Sequence, residues 1–239
     1  MIQFANPSAD LFIPDETEPS QALGRTTHLG VGAHQDDLEV MALHGILACY
    51  KQPQKWFGGV TVTNGAGSSR TNEYADYTDE QMQVVRAEEQ RKAAVVGEFG
   101  FVAQLGYPSS AVKQPENSDY AADLQTILAA AGPQVVYTHN LADKHDTHVA
   151  VVVPLIRALR ELPEDERPAE VYGVEVWRDL NWLLDDEKVL LIWPTDRIWC
   201  AHSSAFSIHR SPAANATTSR WKGGSVPTRR SSIRTLSMK

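Results

Sequence analysis

Residues 31–40 read VGAHQDDLEV. An apolar run that begins near Leu29 stops at His34, and Asp36 and Asp37 follow almost at once. The segment HLGVGAH (28–34), rich in small and apolar residues, is expected to form a short buried strand. LEVMALHGILACY (38–50) has helical spacing, with Met41, Ile46 and Leu47 among its apolar residues. The stretch between them poses a charge problem. Adjacent carboxylates repel, and burying either is costly unless it is paired or bound to a cation.

The strand-then-helix pattern recurs along the chain. WFGGVTVT (56–63), FVAQLGY (101–107), QVVYTH (134–139) and AEVYGVEVW (169–177) are expected as strands. DEQMQVVRAEEQRKAAVVGEFG (79–100) is expected as a helix with an acidic start and a stop at Gly100. SDYAADLQTILAAAG (118–132) is a helix with an N-cap serine and a terminal glycine. DTHVAVVVPLIRALREL (146–162) is a helix interrupted or kinked near Pro154. Such alternation implies right-handed crossovers and a mostly parallel sheet, the α/β class. Functional groups then gather beyond the carboxyl ends of the strands. His34 and His139 both lie at such ends, so their neighbourhoods are expected to converge. The polar loop NGAGSSRTNEYADYTDE (64–80) is long enough to be functional or disordered.

With 239 residues the chain can bury one sizeable core, and a single domain is expected. Residues 1–24, polar and holding three prolines, suggest an arm over the surface. No apolar run approaches the ~18 residues of a membrane span, and the start lacks the pattern of a secretory signal. Cys49 and Cys200 form no metal or redox spacing, so a reducing cytoplasm is the expected location. The net charge of −8 argues against nucleic acid as a partner. Residues 203–239 stand apart, with seven Lys/Arg and no Asp/Glu.

A second polar cluster, THNLADKHDTHVAV (138–151), places His145 and His148 three apart, on one face of a helical turn. Together the two clusters supply imidazoles and carboxylates, the usual surroundings of a catalytic zinc with three protein ligands and one position left for water. Spare imidazoles and carboxylates become candidates for proton transfer.

AHQDDLE (33–39) and DKHDTH (143–148) resemble the two signature motifs of the PIG-L/LmbE-like zinc deacetylases, normally AHPDD-x-E and D-x-HPDH. The resemblance spans roughly residues 28–177. It implies a Rossmann-like sheet flanked by helices and a divalent metal, usually zinc. It also implies hydrolysis of the N-acetyl group of an amino sugar or glycoconjugate. Carried over by motif position, His34, Asp37 and His148 would be the metal ligands and Asp36 the general base. His145 would stabilise the oxyanion or protonate the leaving amine. Arg86 and Glu89 match a helical R-x-x-E; Arg86 either joins a salt-bridge face or reaches sugar hydroxyls. TNGAG (63–67), with Asn64, matches a glycine-rich loop whose amides can approach a substrate. Trp177, after Glu175, either stacks on a sugar or packs in the core.

The chain also departs from that pattern. Gln35 stands where proline is usual, Asp146 and Thr147 replace proline and aspartate, and His44 falls near a usual glycine. From about residue 192 the apolar periodicity stops. Codons compatible with residues 205–239 permit an out-of-frame string resembling C-terminal segments of the family. The expected domains are therefore an arm (1–24), a deacetylase domain (25–200) and a basic Ser/Arg-rich tail (201–239), disordered or frameshifted. A homo-oligomer is compatible with the sequence. The rival functions are an amidase on a larger acyl or thiol-conjugate amide, and a catalytically idle metal- or sugar-binding module.

Overall fold

The computed structural model describes residues 2–114, 119–177, 180–191 and 233–237. Strands β1 (Asp10–Phe12), β2 (His28–Gly32), β3 (Phe57–Thr63), β4 (Phe101–Tyr107), β5 (Val135–His139), β6 (Glu170–Val174), β7 (Val189–Leu191) and β8 (Ile233–Ser237) form one sheet. Their order is β1-β4-β3-β2-β5-β6-β8-β7. The five strands from β4 to β6 pair in parallel, and the outer pairings are antiparallel. This is the mostly parallel, helix-flanked, Rossmann-like α/β sheet expected from the sequence.

After β2 the chain builds outward through β3 and β4, then returns to place β5 on the other side of β2. The reversal lies between β2 and β5, and ligands of open α/β sheets bind beyond the carboxyl ends at such a switch point. Both strand-end histidines of the sequence flank it.

Two apolar layers cover the sheet. One joins Leu29, Val31 and Ala33 to helices α1 (Pro19–Gly24), α5 (Ser109–Val112), α6 (Asp119–Ala131) and α7 (Asp146–Glu161) through Leu23, Val112, Leu124, Ile127, Val151 and Leu155. The other packs α2 (Asp37–Met41) and α3 (Leu43–Cys49) against the opposite face through Leu38, Met41 and Ile46. Gly30 faces this second layer. A Cβ there would stand 2.9 Å from Leu38 Cδ2, so the glycine lets α2 lie close on β2.

Several boundaries differ from the sequence reading. Residues 38–50 form two helices, broken at Ala42, whose φ of −104° leaves the helical range. Helix α4 (Asp79–Val96) is capped by Gly97, not Gly100; its start carries a Thr78–Gln81 capping box. α7 runs unbroken through Pro154. Proline cannot bond the carbonyl four residues back, and the Tyr120 hydroxyl donates to that carbonyl, of Ala150, at 2.8 Å. The fifth expected strand stops at Val174, leaving Glu175 and Trp177 beyond its end. Within residues 2–24, β1 pairs with the β4 edge and α1 buries Ala22 and Leu23. Most of the tail singled out by its composition lies outside the described residues; Ile233–Ser237 form β8.

Leu23 is fully buried, so Leu23→Ala is expected to lower the unfolding free energy by about 2–5 kcal/mol. Urea denaturation measures the change.

Candidate metal centre

The site begins where β2 ends. Ala33 is fixed on both sides: its N–H donates to His139 Nε2 at 2.9 Å, and its carbonyl accepts the Thr63 N–H at 2.9 Å. The chain then turns tightly, with the Asp37 N–H donating to the His34 carbonyl at 3.3 Å. Asp36 takes the turn with φ of +97°, in the left-handed region that residues with a Cβ seldom adopt. The turn separates the two carboxylates. Asp37 is 2 % exposed and points into the protein, while the half-buried Asp36 meets Arg86 Nη2 at 3.1 Å.

Asp37 is surrounded by imidazoles. The His34 N–H donates to its Oδ2 at 2.6 Å, and His34 Nδ1 lies 3.3 Å from the same oxygen. His148 Nε2, from the first turn of α7, is 3.3 Å from His34 Nδ1 and 3.7 Å from Asp37 Oδ2. Ligands about 2.0–2.2 Å from a tetrahedral cation stand about 3.3–3.6 Å apart, so this triangle fits a divalent metal. His34, Asp37 and His148, expected as ligands, therefore converge. Among the described residues, two overlapping groups could hold an ion by proximity alone, His34/His145/His148 and Asp37/His139/His148, each with its ligand atoms within 4.8 Å of one another.

The electrostatics suit a cation. Burial pushes the Asp37 carboxyl up, but the surrounding imidazoles override it and hold the group well below the usual range. Burial pulls His148 down, and Asp37 and Asp143 reverse this, raising it above the ordinary histidine value. Burial drives His139 and His145 down. Asp143 Oδ2 takes the Nδ1 side of His148 at 3.0 Å. A carboxylate behind an imidazole fixes its ring and tautomer for metal binding. His145 Nδ1 accepts the Thr147 N–H at 3.3 Å, which leaves the ring proton on Nε2.

Arg86 is 3 % exposed and lies behind the motif instead of facing sugar hydroxyls. Its guanidinium is engaged by Asp36, by Glu89 at 2.5 Å and by the Gln35 carbonyl. The neighbouring turn of α4 presents Gln90, which donates to Glu39 Oε1 at 2.8 Å; burial raises Glu39 to about 7. Gln35 Nε2 donates to the Thr63 carbonyl at 2.9 Å, tying the motif to β3 where proline could not. Gly65, at φ +74°, abuts Arg86: a Cβ there would stand 2.8 Å from the arginine Cβ. Asn64 Oδ1 accepts the Ala66 N–H at 3.1 Å, closing that turn. Trp177 is exposed, with Lys144 Nζ 4.8 Å from its ring centroid; Glu175 is buried.

Neither spacing nor motif assigns a role to two members of the cluster. His139 was visible as a strand-end histidine, and Asp143 opens the second motif. What composition could not show is that both side chains turn inward, onto His148.

Fold and cluster define a class: a Rossmann-like chain with a buried imidazole–carboxylate centre that could bind a metal at its switch point. The chain belongs to the PIG-L family, whose model, described as GlcNAc-PI de-N-acetylase, matches residues 29–159. Among solved structures it resembles N,N'-diacetylchitobiose deacetylase from Pyrococcus horikoshii, with 14% identity, 89% of this chain and 84% of that chain covered, and a TM-score of 0.65. It also resembles the 4-carboxy-2-hydroxymuconate hydratase GalB from Pseudomonas putida, at 16% identity, 89% and 95% coverage and 0.56. A zinc-inhibited form of teicoplanin deacetylase aligns at 15% identity, 89% and 97% coverage and 0.54. At these identities the likeness is one of fold. No curated protein matches the chain.

Because His148 is raised, its ion pairs stabilise the metal-free fold at low pH, and that contribution is lost as pH rises through the raised value. A ligand imidazole must first lose its proton. Were His148 to hold a divalent metal, affinity would rise with pH up to that value and then level off, with proton release below it. Calorimetry in buffers of different ionisation enthalpy reads both.

Proposed function

We propose that the chain is a zinc-dependent de-N-acetylase acting on an N-acetylated amino sugar or its conjugate, in the cytoplasm. The observation that carries this reading is the triangle of His34 Nδ1, Asp37 Oδ2 and His148 Nε2 within the family-matched stretch. His34, Asp37 and His148 would hold a divalent cation, which would supply Lewis acidity toward water and an acyl carbonyl.

The chain's own groups complete the chemistry. Asp36 lies outside the triangle and accepts the proton of the attacking water. Arg86 acts through Asp36, holding its carboxylate and, by way of Gln35, the backbone on which it stands. His145, with its proton on Nε2, donates a hydrogen bond to the oxygen that gains charge, and the proton taken up by Asp36 passes to the leaving amine. Asp143 keeps the His148 ring in register. Asn64 and Trp177 are the proposed substrate contacts, the exposed indole offering a face to a sugar ring.

Acetate release from a panel of N-acetyl amino sugars and their conjugates, with zinc added, tests the reading. Asp36→Asn is expected to retain zinc while kcat falls by about 10²–10⁴-fold. Unchanged turnover would refute the base assignment, and failure to bind any divalent metal would remove the mechanism.

A further inference from the structure

His139 is fully buried and touches Asp37 and His148 of the triangle, yet its geometry sets it apart from the ligands. Its Nε2 receives the Ala33 N–H at 2.9 Å. A backbone amide cannot give up its proton, so this nitrogen is an acceptor, its lone pair is occupied, and the ring proton sits on Nδ1. The same Nε2 lies 3.2 Å from Asp37 Oδ2. Both cannot be satisfied by one proton. With Nε2 accepting, that contact sets one lone pair against another, and a cation bound by Asp37 relieves it.

The ring is placed to organise its neighbours. Paired strands β2 and β5 end their register at Val31 and Thr138, so Ala33 has outrun the ladder and the imidazole supplies the missing acceptor. Ala33 directly precedes His34, whose own N–H is bonded to Asp37. On its face, His139 stacks on His148 with centroids 3.8 Å apart and planes 12° from parallel. One side chain thereby sets the backbone before His34, the contact with Asp37 and the ring plane of His148.

We propose that His139 is a positioning residue of the metal centre, a buried hydrogen-bond acceptor that aligns His34, Asp37 and His148 without itself binding the cation. The inference rests on the metal reading above. It goes beyond proximity, which would admit His139 as a ligand.

The test is ¹⁵N NMR of the full chain labelled at histidine, with and without zinc, alongside zinc titrations of two variants. The expected spectrum has large zinc-induced shifts at His34 and His148 ring nitrogens, while His139 keeps its Nδ1–H tautomer and its acceptor Nε2. His139→Phe, which preserves a stacking ring but removes the acceptor, is expected to weaken zinc binding about 10- to 100-fold. His139→Gln, whose side-chain carbonyl can take the Ala33 N–H, is expected to recover affinity. A zinc-induced shift at His139 Nε2 matching those of His34 and His148 would make it a ligand and overturn the proposal. Wild-type affinity in a folded Phe variant would overturn it as well. If no histidine shifts with any divalent metal, the metal reading itself fails, an outcome the spectra separate from the other two.

Discussion

A carboxylate shut inside a protein needs positive charge beside it, and Asp37 imposes that demand on everything around it. Its charge is answered from two directions, the backbone of its own turn and the first turn of α7, while the end of the neighbouring strand β5 brings a lone pair that a bound cation would reconcile with it. The first is local, but β5 and α7 lie far downstream in the chain. The order of the sheet is what brings β2 and β5 side by side, and the crossover helix between β5 and β6 delivers His148 to the same point. Fold and site are thus two descriptions of one electrostatic requirement.

The second aspartate depends on a different support. α4 turns a buried stripe of Met82, Arg86, Gln90 and Ala94 inward, one residue per turn. Two of the four are polar, which lowers the contrast between its faces but gives the motif its partners. Arg86 answers Asp36 and Gln90 answers Glu39. A helix placed by ordinary packing against the sheet therefore also fixes the charge and direction of the motif loop.

Much of this was legible in the residues themselves. Strand-end histidines and the spacing of His34, Asp37, His145 and His148 pointed to one centre, because strand alternation and helical repeat fix direction over short distances. The division of 38–50 into two helices was not legible, since Ala42 carries no breaking residue. Nor was the continuity of α7, which depends on a hydroxyl from α6 reaching the carbonyl that Pro154 leaves unbonded. Arg86 shows the same limit. Its spacing placed it on a helix face, but only the packing of that helix decides whether the face meets solvent or the interior. Gln35 is the clearest case: its value lies in a bond to Thr63, a residue of another strand.

The backbone at Asp36 has a consequence for the history of such a chain. Its φ of +97° belongs to a region where glycine is comfortable and a side chain is strained. The residue proposed to take the water's proton therefore occupies the position in the motif where the backbone alone would prefer glycine. In a lineage relieved of the need for turnover, glycine there would relieve the backbone but take one partner from the buried Arg86, leaving it Glu89 and the Gln35 carbonyl. Descendants that bear that loss would keep the imidazole–carboxylate cluster without the proposed base, an origin for binding proteins built on this framework.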